Sequence, residues 1–145
     1  MDQDHADDPL SLPPGGGTCP RVLVVEDNAL NLELVVVLLK QGGCEVLVAE
    51  TAEAGLRLAR GERPDLVLMD LQLPGMTGYE AVQRLKGDAA TASIPVVALT
   101  AQAMRGDEAR ARAAGCDAYL TKPVNTRVFW NALRRFLPRG DVPSR

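Results

Sequence analysis

Carboxylates, a threonine and a lysine follow short apolar runs in this chain in a recurring way. Glu26-Asp27-Asn28 come directly after Val22–Val25, and Asp70 comes directly after Leu66–Met69. Thr100-Ala101 follow Val96–Leu99, and Thr121-Lys122-Pro123 follow Ala118–Leu120. The remaining run, Val46–Ala49, ends less tellingly in Glu50. Three carboxylates brought to one place repel one another unless a cation joins them. All-oxygen donors with few protein groups suit Mg²⁺, which keeps several of its waters. A lysine and a threonine hydroxyl beside that metal could hold an anion, with phosphoryl the natural candidate. Each residue alone has a plainer role, since Asp27, Asn28 and Thr100 are all good helix caps. Four segment ends with compatible chemistry turn the balance towards a site.

For these residues to meet, the runs that precede them must lie side by side. Each run is continuously apolar rather than alternating, as in strands buried on both faces of a parallel sheet. Between and after them lie stretches with helical features: Ala29–Gln41, Ala52–Arg60, Gly78–Lys86, Met104–Ala114 and Val124–Phe136. Gly42-Gly43, Gly61, Gly87 and Gly115 stand where the first four would need C-caps. Strand and helix alternating five times predicts a doubly wound (βα)5 α/β fold. In such a sheet all strand C-terminal ends share one edge, and ligands bind in the crevice beyond it.

Length and composition fit one such unit. The chain has 145 residues, a single domain on the usual prior. Residues 1–20 carry four acids, no Lys or Arg, four prolines and Gly15-Gly16-Gly17, and read as a disordered leader. Residues 21–137 form the folded domain and 138–145 a short flexible tail. Beyond the leader, 16 basic residues face 15 acidic ones. That balance lacks the basic stripe of a protein that grips nucleic acid by its phosphates, so no direct nucleic-acid binding is expected. His5, in the leader, is the only histidine, which argues against catalytic triads, His-based zinc sites and a phosphohistidine within the fold. Cys19, Cys44 and Cys116 make neither a disulfide framework nor a metal motif. With no signal peptide or membrane-length apolar stretch visible, the expectation is a cytoplasmic protein without a membrane partner.

At these positions the chain resembles the receiver domain of bacterial two-component response regulators. The resemblance rests on Val24-Val25-Glu26-Asp27-Asn28, on Leu68-Met69-Asp70-Leu71-Gln72-Leu73-Pro74-Gly75-Met76-Thr77-Gly78, on Ala98-Leu99-Thr100-Ala101 and on Tyr119-Leu120-Thr121-Lys122-Pro123. Asp27, Asp70, Thr100 and Lys122 are separated by 43, 30 and 22 positions. Glu26-Asp27-Asn28 with Leu30-Asn31 is most similar to single-domain regulators of the DivK type and to receivers fused to hybrid kinases.

The resemblance implies a flavodoxin-like strand order of 2-1-3-4-5 and a set of roles. Asp70 would be the phosphoacceptor, attacking a phosphohistidine on a sensor histidine kinase or phosphotransfer protein. Asp27 and Asp70 would bind Mg²⁺ directly, Glu26 through water, and the backbone carbonyl of Gln72 would supply another oxygen. Lys122 would pair with Asp70 and then with phosphoryl oxygens, and the Thr100 hydroxyl and Ala101 amide would take the rest. Tyr119 would be the switch aromatic whose rotamer follows Thr100, and Lys122-Pro123 would be a cis peptide. The domain would catalyse only its own phosphorylation and dephosphorylation, and would switch a surface read by a downstream protein. A phosphorelay intermediate or phosphate sink is the alternative. An aspartyl-nucleophile phosphatase is less suited, because those enzymes resemble one another in an Asp-x-Asp pattern after the first strand, where this chain has Glu26-Asp27.

The first helix is more apolar than a surface helix needs to be. At 100° per residue Asn31, Leu34, Val35, Leu38 and Leu39 share a face and should cover the sheet. Ala29, Leu32 and Val36 lie together on a flank that starts beside Glu26-Asp27, and are expected to be a partner-docking patch. Phe129 and Phe136 share a face of the last helix and read as packing, whereas Trp130 points elsewhere and could serve either purpose. Cys44 and Cys116 read as small buried fillers.

Overall fold

In the computed structural model the chain is described over residues 19–101 and 106–137. Five strands alternate with five helices: β1 (Arg21–Val25), α1 (Ala29–Gln41), β2 (Glu45–Ala49), α2 (Ala52–Glu62), β3 (Leu66–Asp70), α3 (Gly78–Gly87), β4 (Val96–Thr100), α4 (Asp107–Ala114), β5 (Ala118–Thr121) and α5 (Thr126–Leu133). All strand pairs are parallel and the sheet order is β2-β1-β3-β4-β5. The central strands β3 and β4 are buried along their whole length, whereas the edge strand β2 is largely exposed or half-buried. Continuous apolar runs are what a doubly covered strand requires, and β3 and β4 agree; the Val46–Ala49 run does not, because β2 lies at the sheet edge with Val48 41% exposed.

Two apolar layers flank the sheet. One joins Leu23, Val25, Val67, Met69, Val96 and Ala98 to α2, α3 and α4. The other joins Val22, Val24, Leu66, Leu68, Val97 and Leu99 to α1 and α5. The alternation of side chains along each strand therefore decides which layer each strand-end residue faces.

Side-chain oxygens start the helices. Asn28 Oδ1 accepts the Asn31 amide at 3.0 Å, Thr51 Oγ1 that of Ala54 at 3.1 Å and Thr77 Oγ1 that of Glu80 at 3.2 Å. Asn125 Oδ1 accepts the amides of Arg127 and Val128 and starts α5 there, two residues later than Val124. Gly42 and Gly115 do cap α1 and α4. Gly61 and Gly87 instead lie inside their helices: α2 ends on Arg63, held in the left-handed region at φ 49°, and α3 ends on Asp88. Pro64 follows Arg63 and could not have continued the helix.

Three further expectations shift. Leu34 is 41% exposed rather than buried: of α1 only Val35, Leu38 and Leu39 are buried, with Leu32 partly buried against the same layer. Trp130 is core: it packs edge-on against Phe129 with centroids 5.2 Å apart, and lies so close to Gly42 that a Cβ there would fall 2.2 Å from its ring. Pro20, at the end of the supposed leader, is buried and its carbonyl accepts the Glu45 amide at 2.8 Å, so the folded unit includes it. Residues 1–18 of that leader, the tail and Met104-Arg105 lie outside the described residues.

Candidate functional site

The site assembles where β1, β3, β4 and β5 end. Register places Val25 beside Met69, so the next residues, Glu26 and Asp70, are neighbours, both buried. Thr100 pairs with Thr121, and the Lys122 amide donates to the Thr100 carbonyl at 2.7 Å, which carries the chain on to the cis Lys122-Pro123 bond. Along the alternation Glu26 and Asp70 belong with the α1/α5 layer. Thr100 belongs with the opposite layer, where Tyr119, beside Ala98 in register, is half-buried.

Lys122 is the centre of charge. Its Nζ lies 2.8 Å from Glu26 Oε1 and 3.2 Å from Asp70 Oδ2, with only 11% of its side chain exposed. Thus Lys122 pairs with Asp70 as expected, but it is nearer to Glu26. Glu26 Oε2 accepts the Asn28 amide at 3.1 Å, and Oε1 has the Lys122 ammonium as its partner. Burial pushes the Glu26 carboxyl above its usual range, aided by Asp70 and opposed by Lys122 and the Asn28 amide. Burial alone would lower the Lys122 value, but its contact with Glu26 and the charge of Asp70 outweigh that and hold the ammonium above its ordinary value. The two directions are compatible: Glu26 is fully enclosed and shares one cation, while Lys122 faces two anions.

Asp27, exposed, completes a cluster in which Glu26, Asp27 and Asp70 each offer an oxygen within 4.8 Å of the others. Three clustered carboxylates, two of them sharing a single ammonium, make a donor set that fits a hard divalent cation.

Two features here are invisible in sequence. The Gln72 amide donates to Asp70 Oδ1 at 2.9 Å, while the Gln72 side-chain Oε1 accepts the Ala101 amide at 3.1 Å. Gly78, the first residue of α3, sits against the backbone of Asp70. A Cβ there would lie 2.3 Å from the Asp70 carbonyl oxygen and 2.5 Å from Leu71 Cα. Gly78 stands inside the Leu68–Gly78 motif, but only the folded chain shows that its missing side chain seats α3 against the Asp70 peptide.

The flank of α1 faces a groove of about 480 Å³ lined by Asp27, Ala29, Leu32, Val36, Val37 and Val48 among others. Ala29 is exposed and Leu32 and Val36 are half-buried, so the structure brings the three together beside the carboxylates. Cys44 and Cys116 are buried, and burial pushes their thiols up to about 12 and about 11.

A parallel sheet ordered 2-1-3-4-5, with clustered carboxylates and a lysine at its carboxyl edge, defines a receiver architecture. The response regulator receiver domain family matches residues 22–134, and the chain belongs to that family. Among curated relatives it is similar to the polar-differentiation response regulator DivK of Brucella anthropi, 44% identical over 121 residues that span 83% of this chain and 97% of that protein. Among solved structures it is similar to the receiver domain of the sensor histidine kinase PA1611 from Pseudomonas aeruginosa, which has a magnesium ion coordinated in its active-site cleft. The identity is 31%, the TM-score 0.76, and the match covers 82% of this chain and 98% of that one. It is also similar, at 28% identity and TM-score 0.73 over 82% of this chain and 89% of the other, to a yeast receiver. That one is the receiver domain of Ssk1 from Saccharomyces cerevisiae, crystallised with the histidine phosphotransfer protein Ypd1. The chain is thus a signalling receiver, homologous to DivK regulators.

Proposed function

We propose that Asp70 accepts a phosphoryl group from a phosphohistidine on a sensor histidine kinase or phosphotransfer protein, and that the phosphorylated form changes a surface read by another protein. The observation that carries this is the placement of Asp70. It is buried at the strand edge, 3.2 Å from an ammonium and within a carboxylate cluster that fits Mg²⁺. Glu26, Asp27 and Asp70, with the Gln72 backbone carbonyl, would hold the metal. Bound Mg²⁺ would supply the positive charge that lets a carboxylate approach an anionic phosphoryl group.

The chain's own groups do the rest. An Asp70 oxygen forms the bond to phosphorus as the phosphorus–nitrogen bond to the donor histidine breaks, leaving a mixed anhydride. Lys122, already at the carboxylate, moves its charge to the phosphoryl oxygens, so little reorganisation is needed. The Thr100 hydroxyl and the Ala101 amide receive the remaining oxygens, and Tyr119, on the same layer as Thr100, carries the change towards α4, β5 and α5. The groove at Ala29, Leu32 and Val36 receives the donor protein.

Three free cysteines, two of them buried, suit a reducing cytoplasmic setting. Among the described residues no helix is long and apolar enough to cross a membrane. Incubation with acetyl phosphate and Mg²⁺ should add one phosphoryl group by intact mass, and Asp70→Asn or excess chelator should abolish it. Equal labelling of the asparagine variant would overturn the assignment.

A further inference from the structure

Gln72 touches both halves of the site. Its backbone amide donates to Asp70 Oδ1 at 2.9 Å, and its side chain reaches across to the end of β4, where Oε1 accepts the Ala101 amide at 3.1 Å. The same peptide unit is held on its other side, because the Thr100 carbonyl accepts the Lys122 amide at 2.7 Å. The Thr100–Ala101 peptide plane is therefore clamped at both ends, and its N–H is aimed before any ligand arrives. An acceptor occupies that N–H in the resting protein, and the acceptor is a neutral amide oxygen on an exposed side chain.

A backbone N–H gives its best hydrogen bond to one oxygen at a time. A phosphoryl oxygen is the stronger acceptor, because hydrogen bonds to charged groups exceed those to neutral ones. The exposed Gln72 side chain, once released, finds water in place of the lost partner. Resting on the reading of Asp70 as phosphoacceptor, we infer that Gln72 Oε1 is a resident substitute for a phosphoryl oxygen on the Ala101 amide. It keeps the amide aimed and satisfied in the resting state and is displaced when Asp70 is phosphorylated. Gln72 is thus a positioning residue: its side chain sets how readily the phosphorylated or analogue-bound state forms. The Lys122–Thr100 bond keeps the peptide plane in place after the side chain leaves.

The test compares wild-type protein with Gln72→Met and Gln72→Glu, all with Mg²⁺ and beryllium fluoride, a phosphoryl mimic. Methionine keeps the length and removes the oxygen; glutamate keeps the oxygen and adds a charge that repels the mimic. Two quantities are read, the affinity for the mimic and the hydrogen-exchange rate of the Ala101 amide in the mimic-free protein. Gln72→Met should bind the mimic about fivefold more tightly, equivalent to ~1 kcal/mol, the worth of one neutral hydrogen bond. In the same variant the free Ala101 amide should exchange faster. Gln72→Glu should bind the mimic more weakly than wild type. Wild-type affinity together with unchanged Ala101 exchange in Gln72→Met would overturn the role of Gln72 while leaving Asp70 as acceptor. Failure of the wild-type protein itself to bind the mimic would instead overturn the Asp70 reading, and this inference with it.

Discussion

Removing the Lys122 charge while keeping its length, as in Lys122→Met, isolates the electrostatics of the site. In the wild type the ammonium lies 2.8 Å from Glu26 and 3.2 Å from Asp70, and Glu26 has no exposed surface. The variant strands two buried carboxylates on adjacent strands without a cation. Breaking a buried pair by removing one partner costs about 3–5 kcal/mol. In a domain of this size each kcal/mol moves Tm by roughly 2–4 °C, so the expected loss at pH 7.5 is on the order of 10 °C. The sign of the pH dependence follows from Glu26, whose folded carboxyl titrates above its ordinary value. A raised carboxyl favours the folded state while protonated, and that advantage is lost as pH rises through the folded value. Lys122→Met should therefore be most impaired at neutral pH and should recover as pH falls and Glu26 takes up a proton. Adding Glu26→Gln to Lys122→Met should restore most of the loss at pH 7.5, and Mg²⁺ should restore part of it. Thermal and urea unfolding at pH 7.5 and 5.5, with and without Mg²⁺, measure all of this. A loss below about 1 kcal/mol at pH 7.5, or no rescue by Glu26→Gln, would refute the argument that Lys122 neutralises buried charge.

Gly78→Ala drives a methyl into the Asp70 peptide and should lower Tm by several degrees, since overpacking costs about 1–3 kcal/mol, and should also slow acetyl phosphate labelling of Asp70. Replacing Leu32 and Val36 together with Lys should slow transfer from a cognate histidine kinase or phosphotransfer protein at least ~10-fold, a loss of ~1.4 kcal/mol of docking, while labelling by acetyl phosphate stays at the wild-type rate.

The sheet and its site edge were legible because burial on both faces writes itself as unbroken apolar runs, and parallel topology puts every run's end at one edge. Helix ends were less so. Gly61 and Gly87 look like caps, yet α2 and α3 run through them because backbone partners further along close those helices. Leu34 reads as core by angle alone, but how wide a stripe α1 buries depends on how closely the helix approaches the sheet, which no periodicity reports. Trp130 became interpretable only with Gly42 opposite it. At the site, residue types and spacing pointed to Asp70, Asp27, Thr100 and Lys122. The closer pairing of Lys122 with Glu26 and the reach of Gln72 to Ala101 depend on side-chain direction at separate strand ends, and the seat of Gly78 depends on how closely α3 approaches the Asp70 backbone.

The contact between Gly78 and the Asp70 peptide makes the two sides of the site mechanically unequal. On one side a helix whose Ala81, Val82 and Leu85 are buried is pressed onto the acceptor's own backbone, with no atom to spare between them. On the other, Ala101 is exposed and its N–H is held by a side chain that can let go. A group added to Asp70 brings volume and charge that must be accommodated somewhere, and close-packed cores give way in discrete steps rather than by uniform yielding. Were Asp70 phosphorylated as proposed, the tightly packed β3 side would leave the end of β4 as the side able to give way. The absent methyl group of Gly78 would then bias the direction in which the domain transmits its state.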